Sequence, residues 1–530
     1  MEKGYLAIIL HAHLPFVRHP EHRDSLEENW FYEAVTETYI PLLTAMENLI
    51  HDGIDFRLTM SITPTLASML TDPFLQDRYL RRLDNLIELG GKEVRRTRTQ
   101  PALHDLAAWY HNHLLKTRDA FVNRYDRNLI LAFNRFQEAG VLEIMASAAT
   151  HGYLPLLSVN SSSVKAQTAL GIQHYRELFG SNPKGFWLPE CGYYPGVDQT
   201  LRKQGISYTI LETHGITRGC PRPRYGVYAP VYCPSGLAVF GRDPESSRQV
   251  WSAADGYPGD HDYREFYRDI AYDLDLDYIK PFIHPDGIRI DTGFKYYRIT
   301  GKTDHKEVYV PEKAAHKAAV HAGNFMFNRE KQTEHLASVM DRKPVIVAPY
   351  DAELFGHWWY EGPLWLEHLF RKISNEQDTI RTIHLSEYLE EYPANVCSVP
   401  SISSWGFNGF NETWLNGKND WIYPHLHQGA AMMEEMVEKH PRADGITLRA
   451  LKQAARELLL AQSSDWAFMI NTGTTTEYGI HRTRSHLARF HRLNSGLKTG
   501  NIDAEWLSSV ENRNNIFPGI DYSLFAHETG

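Results

Sequence analysis

Two apolar stretches of the sequence each end in a proline that is followed closely by an acid. In residues 185–194 (GFWLPECGYY) the acid is Glu190, and in residues 345–363 (VIVAPYDAELFGHWWYEGP) it is Asp351. Alternate residues of a β-strand lie on the same face. An acid that continues an apolar face past the end of its strand is therefore expected at the mouth of a core. The pattern favours a fold whose strands end together at a polar site.

The alternation gives each of these two strands an inward and an outward face. On the first strand, Phe186, Leu188 and Glu190 are predicted to point inward. Trp187 is then predicted to point out of the barrel and to pack under a helix. On the second strand, every second residue from 345 up to Asp351 is predicted to point inward.

A third strand of the same kind begins the chain. Residues 5–13 (YLAIILHAH) place His11 and His13 on one face at the strand's end. Further strands are predicted at 56–62, 141–146, 206–211 and 237–240. Seven strands separated by helices, with polar groups at their carboxyl tips, predict an α/β fold, a (β/α)7 barrel with its site at that end.

The chain of 530 residues is long enough to form more than one core. Between the second and third strands lie roughly eighty residues, far more than an ordinary connection. Their charged amphipathic pattern predicts an inserted helical subdomain at 67–134, within a barrel formed by 1–66 and 135–395. After a loop rich in Gly, Asn and Trp, several helix candidates predict a C-terminal helical domain at 396–530.

Composition argues against several classes of partner. The formal net charge of -10 disfavours nucleic acid and anionic membranes as partners, and no apolar run approaches the ~20 residues of a membrane span. The four cysteines have no metal-type spacing, so we expect free thiols and a cytoplasmic protein. The 12 Trp and 29 Tyr residues, many in predicted loops, favour a sugar site, because a pyranose ring offers one apolar face for stacking.

Glu190 and Asp351 together are the minimum apparatus for glycosidic bond chemistry. One acid attacks the anomeric carbon or activates water, and the other protonates the leaving oxygen. Either acid taken alone is more simply a helix N-cap or an ion-pair partner, but two on inward faces beside tryptophans favour catalysis. Glu353 competes for the role of Asp351, although its position is more typical of an acceptor behind it.

His11 and His13 leave a second chemistry open. A His-x-His pair on the first strand of a barrel holds a divalent ion in metal-dependent hydrolases, and His151 and Asp351 could complete that set. The imidazoles could equally bind sugar hydroxyls, orient the nucleophile or close the barrel end as structural residues. The spacing alone does not decide. A metal-dependent amide or ester hydrolase and a non-catalytic glucan-binding protein therefore remain alternatives.

Four segments resemble the motifs of glycoside hydrolase family 57. They are HAHLP at 11–15, THGYLP at 150–155, GFWLPEC at 185–191 and APYDAELFGHWWYEGP at 348–363. Other segments, among them FGRDPESSRQVWS, WLNGKNDW and SSDWAF, resemble the 1,4-α-glucan branching enzymes of that family. The resemblance covers nearly the whole chain. It implies a (β/α)7 barrel with an inserted helical domain and a C-terminal helical domain that completes the active site.

The resemblance also implies a mechanism and a set of site residues. It makes the enzyme retaining, with Glu190 as nucleophile and Asp351 as acid/base, acting on α-1,4-glucan chains and transferring them to a 6-hydroxyl. It implies no metal and no cofactor, since the histidines then contact substrate. The substrate-binding residues would be His11, His13, His151, Arg242, Trp251, Gly259, Trp405 and Asp465. Trp414 is a further stacking candidate from its loop position.

One segment bears on the outcome of the reaction. In the family that the chain resembles, branching is associated with a mobile loop between the nucleophile strand and the FGRD strand. Here residues 191–240 form that segment, which is compact, with Tyr225 and Tyr228 as its predicted tip. An α-amylase-type hydrolase therefore remains the alternative to a branching enzyme. We expect a monomer or a small homo-oligomer.

Overall fold

The structure is a computed structural model that describes residues 2–251, 256–303 and 305–527. Nine strands lie within these ranges. They are β1 (Gly4–Ala12), β2 (Leu58–Ile62), β3 (Leu142–Ser147), β4 (Gly185–Trp187), β5 (Tyr208–Leu211), β6 (Val231–Tyr232), β7 (Ala238–Gly241), β8 (Val345–Asp351) and β9 (Ile380–Thr382).

Seven of these strands run parallel in the order β7-β5-β4-β3-β2-β1-β8. Strand β6 pairs antiparallel with β7, and β9 pairs parallel with the first residues of β1. The two end strands of the series approach each other, since the Asp243 N–H donates to the Val347 carbonyl at 2.8 Å. The predicted α/β class is confirmed, as a half-open barrel of seven parallel strands.

Alternating side chains fill the interior of the barrel. The inward cluster includes Tyr5, Ala7 and Ile9 of β1 together with Val345 and Val347 of β8. The intervening residues of these strands belong to a larger cluster that lies under the surrounding helices. Burial of each large aliphatic side chain contributes about 1.5–3 kcal/mol, so the interior layer fixes the strands that carry the site.

Helices surround the barrel on its outer face. In the barrel region they span Glu28–Ala34, Ile40–His51, Pro64–Leu70, Leu154–Leu157, Ser161–Phe179, Val197–Lys203, Thr213–Thr217, Pro244–Trp251, Ile270–Asp273, Leu276–Ile279, Pro311–Val339, Gly362–Asn375 and Leu385–Glu391. A π-helical turn, Val35–Tyr39, joins the first two into one continuous helix. None of the described helices has the length and apolar character needed to cross a membrane.

Two further groups of helices flank the barrel. Between β2 and β3 lie Pro73–Arg96, Pro101–Asp119 and Leu129–Glu138, and after β9 lie Ile422–Lys439, Gly445–Ala461, Ser464–Thr472, Thr476–Thr499 and Ala504–Arg513. The first group is tied to the chain before β8, because the Tyr110 hydroxyl donates to the Lys295 carbonyl at 2.7 Å. The second group reaches the barrel mouth, where the Ser464 N–H donates to the His151 carbonyl at 3.0 Å. The division at residues 67, 134 and 396 stays a prediction.

The orientation of the Glu190 strand differs from the predicted one. Trp187 belongs to the interior cluster, whereas Phe186 and Leu188 belong to the outer cluster. Strand β4 is only three residues long and gives way to the 3-10 turn Pro189–Cys191, so its alternation does not extend to Glu190. The prediction that Trp187 points out of the barrel is therefore wrong.

Two tyrosines of the 191–240 segment lie near the start of β8. The Tyr228 carbonyl accepts a hydrogen bond from the N–H of Val345, the first residue of β8. The Arg342 guanidinium lies 5.8 Å from the Tyr225 ring. Both tyrosines thus lie toward the start of β8, away from the end that carries Asp351. The role of the two tyrosines as the tip of the segment stays a prediction.

Candidate active site

Each of the seven parallel strands ends in a polar side chain at the same end of the barrel. They are His11 and His13 at β1, Ser61 and Thr63 at β2, His151 after β3, Glu190 after β4, Glu212 after β5, Arg242 after β7, and Asp351 and Glu353 at β8. Register brings neighbours together, since His11 pairs with Ser61 on one side and with Asp351 on the other. The sheet thus collects residues that are far apart in sequence.

Glu190 reaches the site from a tight turn. Its backbone has φ 61° and ψ 23°, a left-handed conformation that costs a non-glycine residue about 1–2 kcal/mol. Strain of this kind persists where the surroundings enforce it and is concentrated at functional sites. The carboxylate accepts hydrogen bonds from Trp405 Nε1 at 2.7 Å and from Ser464 Oγ at 3.0 Å. Both donors come from the part of the chain after β9.

The environment of Glu190 has opposing effects on its charge. Burial raises the pKa of Glu190, the hydrogen bond from Trp405 lowers it, and the negative charge of Asp465 raises it again. The resulting pKa lies above the ordinary carboxyl value. The two donors nevertheless stabilise the ionised form, which is the form that a nucleophile requires.

Asp351 is the last residue of β8, and it continues the inward face of that strand as predicted. In contrast to Glu190, its carboxyl group has no hydrogen-bond donor among the residues that the structure describes. Burial raises the pKa of Asp351 well above its ordinary value, and the charges of Glu353 and Glu190 raise it further. Asp351 therefore holds its proton more tightly than Glu190 does.

Glu353 occupies the position of an acceptor behind Asp351. Its Oε1 accepts hydrogen bonds from the Tyr39 hydroxyl and from the His13 backbone N–H, the latter at 3.1 Å. Tyr39 is the last residue of the π-helical turn Val35–Tyr39, and such turns frequently occur at functional sites. Burial raises the pKa of Glu353, whereas the bond from Tyr39 lowers it. Glu353 is thus a carboxylate fixed by two donors beside the freer Asp351.

His11 and His151 form a buried neutral pair. Their Nε2 atoms lie 3.0 Å apart, and Ser61 and Ser464 hold their other ring nitrogens at 3.3 and 2.9 Å. Burial lowers the pKa of both imidazoles well below the ordinary value. His151 Nδ1 also lies 3.8 Å from the Glu190 carboxylate. The pair therefore supports the floor of the site with its polar atoms already engaged, and its predicted contact with substrate stays a prediction.

His13 behaves differently because Asp465 faces it. Its Nε2 lies 3.0 Å from Asp465 Oδ1, and its Nδ1 lies 3.0 Å from Thr63 Oγ1. Burial acts to lower the pKa of His13, but the carboxylates of Asp465, Glu190 and Glu353 together outweigh burial and the pKa is raised. Asp465 follows Ser464 at the start of the helix Ser464–Thr472. One helix end of the C-terminal region thus contacts both Glu190 and His13.

The set of residues proposed above for a metal ion is only partly assembled. His13, His151 and Asp465 bring ligand atoms within 4.8 Å of one another, but neither His11 nor Asp351 is a member of that group. The geometry therefore offers Asp465, and not Asp351, as the carboxylate nearest the histidines. The ring nitrogens of His13 and His151 already have hydrogen-bond partners there.

An aromatic wall stands beside the carboxylates. The Trp405 ring lies 5.2 Å from Trp187 and 6.5 Å from Trp251, centroid to centroid. The Arg242 guanidinium lies 5.8 Å from the Trp405 ring and is held by Glu212 at 2.9 Å. Trp251 remains 36% exposed, so this wall offers apolar faces and a cation to a bound ligand.

Two other predicted binding residues are not part of this wall. Trp414 is 1% exposed, and its ring stacks on Tyr153 with centroids 4.3 Å apart. It therefore has no free face for a sugar, and the prediction that it stacks on substrate is wrong. A Cβ added at Gly406 would lie 2.6 Å from the Trp414 ring, so this ring packs under the loop that carries Trp405. Gly259 ends the turn Tyr257–Gly259, and its contact with substrate stays a prediction.

Sequence reasoning missed Ser61, Thr63 and Glu212 at the strand ends, and also Trp187, Ser464 and Tyr39. Trp187 was assigned to the wrong face, although its ring stacks on His11 at 4.7 Å. Ser464 lies next to Asp465 in the SSDWAF segment, which was the available signal. Tyr39 had no signal, because an ordinary helical pattern does not reveal a π-helical turn.

A parallel barrel that gathers two buried carboxyl groups in contrasting environments at its strand ends is typical of glycoside hydrolases. A sequence profile for glycosyl hydrolase family 57 matches residues 7–330. A second profile, for the C-terminal region of 1,4-α-glucan branching enzymes, matches residues 425–525. The chain belongs to glycoside hydrolase family 57.

Relatives match over almost the full length of the chain. A 1,4-α-glucan branching enzyme of Thermococcus kodakarensis is 34% identical, covering 99% of this chain and 79% of that protein. A branching enzyme structure from Pyrococcus horikoshii is 33% identical with a TM-score of 0.89, covering 99% of this chain and 97% of the other. The structure of the α-amylase AmyC of Thermotoga maritima is 44% identical with a TM-score of 0.93, covering 99% and 100%.

Proposed function

We propose that the protein is a retaining 1,4-α-glucan branching enzyme, which cleaves an α-1,4 bond and transfers the released chain to a 6-hydroxyl. One observation carries the proposal most directly. Ser464 and Asp465 lie within residues 425–525, the region that matches the branching-enzyme profile, and they contact Glu190 and His13 at the barrel mouth. The region typical of branching enzymes is therefore part of the site.

The first step uses the contrast between the two acids. The ionised Glu190, held by Trp405 and Ser464, attacks the anomeric carbon of a glucosyl unit. Asp351 gives its proton to the glycosidic oxygen as the bond from that oxygen to carbon breaks. The products are a covalent glycosyl ester on Glu190 and a departing chain with a new free hydroxyl.

The second step reverses the roles. Asp351, now ionised, takes the proton from an acceptor hydroxyl while that oxygen attacks the anomeric carbon and frees Glu190. A glucose 6-hydroxyl as acceptor creates an α-1,6 branch, whereas water gives hydrolysis. The charge of Glu353 beside Asp351 keeps it basic in this step.

Residues around the acids would bind the chain. The aromatic wall of Trp405 and Trp251 supplies stacking faces, and Arg242 supplies donors for sugar hydroxyls. The substrate is thus proposed to be an α-1,4-glucan such as amylose or a glycogen-like chain. We also propose a monomer or small homo-oligomer in the reducing cytoplasm, in keeping with four free cysteines.

An α-amylase-type hydrolase is the second candidate. The 44% identity with the amylase from Thermotoga maritima favours it, since the same pair of acids could serve water. The two candidates differ only in the acceptor of the second step.

Proton NMR of amylose during incubation with the protein separates the candidates. Branching predicts that α-1,6 signals accumulate while new reducing-end signals stay few. Hydrolysis predicts one new reducing end for each bond lost and no α-1,6 signal, and that result would replace the first proposal by the second. The Glu190→Gln variant is the control and should give neither signal.

A further inference from the structure

An exposed group of aromatic side chains lies beside the β8 end of the site. It consists of Phe266, Tyr267 and Trp358, which we call the aromatic shelf. Trp358 is 55% exposed and Tyr267 is 81% exposed. The Trp358 ring stacks on Phe266 with centroids 4.4 Å apart and planes 22° from parallel. Exposed apolar patches on a folded protein mark binding surfaces more often than scattered single residues do.

The shelf is held in place from below. Lys295 Nζ lies 4.3 Å from the centre of the Phe266 ring and also donates to the Phe266 carbonyl. The His357 ring meets Phe266 edge-on at 5.5 Å. His357 itself lies within 4 Å of the carboxylates of Glu33 and Glu37. These contacts fix the Phe266 ring. Because Trp358 stacks on Phe266, it presents a rigid outer face.

The shelf is continuous with the active site along the chain. The Trp358 N–H donates to the Glu353 carbonyl at 3.2 Å, which anchors the turn that follows Asp351. Phe266 and Tyr267 belong to the segment that continues from Asp260, after the turn Tyr257–Gly259. Trp358 therefore lies on the turn that begins at the same strand end as Asp351.

The charges around the shelf argue for a neutral ligand. Lys306 is paired with Glu265 at 2.8 Å, and Arg268 is paired with Asp273 at 2.8 Å. Arg298 is paired with Glu307 at 2.6 Å. In each of these pairs the two opposite charges compensate each other, which among the described residues favours a neutral ligand over an ion. Flat aromatic faces within a compensated rim suit the apolar face of a pyranose ring.

We propose that the aromatic shelf binds a stretch of α-1,4-glucan that extends beyond the two carboxylates. This inference rests on the proposed function, since it assigns a further length of the same polymer to the surface beside the site. Trp358 carries the stacking face, and Tyr267 adds an exposed ring beside it. The shelf then contributes to long chains and not to short oligosaccharides that fill only the cleft.

Kinetics on long and short substrates test the proposal. The variants are Tyr267→Ala and Trp358→Ala, and Phe327→Ala is the matched control, because Phe327 is an aromatic 53% exposed on the outer helix Pro311–Val339. Loss of one stacking face should raise KM for amylose by about 2- to 10-fold. Turnover of a short maltooligosaccharide should stay within about twofold. Trp358→Phe keeps a stacking face and should restore much of the affinity.

Binding in an inactive background gives a second readout. Affinity electrophoresis in gels containing glycogen should show weaker retardation of Glu190→Gln/Tyr267→Ala than of Glu190→Gln alone. Tyr267→Ala truncates a ring that is almost fully in solvent, so it keeps the test valid if Trp358→Ala does not fold. Shelf variants that match Phe327→Ala on amylose and in the gel would overturn this inference alone. A parent protein inactive on every α-glucan would instead remove the proposed function.

Discussion

The ends of β8 and β4 deliver the two acids in opposite ways. Strand β8 runs straight to Asp351, whose backbone remains extended with φ -66° and ψ 134°. Strand β4 stops at Trp187, and Glu190 enters the site from a left-handed turn. Within the described part of the chain no donor binds the Asp351 carboxyl group, whereas Glu190 is held by Trp405 and Ser464. Geometry and charge therefore separate the two acids into one that keeps a proton and one that loses it.

The largest expected effects come from removing the acids themselves. Asp351→Ala removes a general acid, a contribution typically worth about 10²- to 10⁴-fold in rate. Azide should rescue this variant with retention, because it attacks the glycosyl ester on Glu190. It should rescue Glu190→Ala with inversion, because it replaces the nucleophile. The anomeric configuration of each glycosyl azide can be read by proton NMR.

The control for that experiment is Glu353→Ala. Glu353 lies behind Asp351 and does not carry either role, so azide should give no glycosyl azide with this variant. A retained azide product from Glu353→Ala, and none from Asp351→Ala, would exchange the two assignments.

The donors to Glu190 should set the acidic limb of the pH profile. Removing a donor from a charged group raises its pKa, and Glu190 must be ionised to attack. Trp405→Phe and Ser464→Ala should therefore move the acidic limb of kcat/KM to higher pH, by about one to two units each. The alkaline limb should stay in place. Measured profiles in which both limbs move together would contradict separate control of the two acids.

Glu353 and Tyr39 should set the alkaline limb. The groups that act on Asp351 are Glu353 on the same strand end, Glu190, His13 and Arg242. The negative charge of Glu353 raises the pKa of Asp351, which must be protonated for the first step. Glu353→Gln should therefore lower that pKa and move the alkaline limb to lower pH, on the order of one unit.

Tyr39→Phe offers a milder version of the same change. It removes the hydroxyl donor, so the pKa of Glu353 rises and its charge is weaker near neutral pH. The alkaline limb should move in the same direction but less than in Glu353→Gln. If the alkaline limb does not move in either variant and only kcat falls, these residues act through packing alone.

The same two strands show how far sequence can predict such a site. The seven-residue run to Asp351 preserves alternation, so its face, its burial and its strand-end position were all predictable. The three-residue β4 does not preserve alternation, and a left-handed residue cannot be read from an ordinary Glu in a Pro-Glu-Cys context. The burial of Trp414 could not be predicted for another reason, since the composition of a loop does not say on which side a long segment folds. Contacts across hundreds of residues, such as His13 with Asp465, depend on that folding.

The smallest expected effect concerns stability on the Glu190 side, which the C-terminal helix supports. The carboxylates around His13, with Asp465 contributing most, raise its pKa above its value in the unfolded chain. The resulting stabilisation is fully present below the unfolded pKa, about 6.5, and is lost as the pH rises through the folded pKa. Asp465→Asn should therefore lower the melting temperature most near pH 5–6 and progressively less above neutral pH. The control is Asp503→Asn, which changes an exposed acid paired with Arg492. Its effect on the melting temperature should not vary over this pH range. If the loss of melting temperature in Asp465→Asn is also independent of pH, then helix Ser464–Thr472 is held to the barrel by Ser464 and packing, and not by the charge of His13.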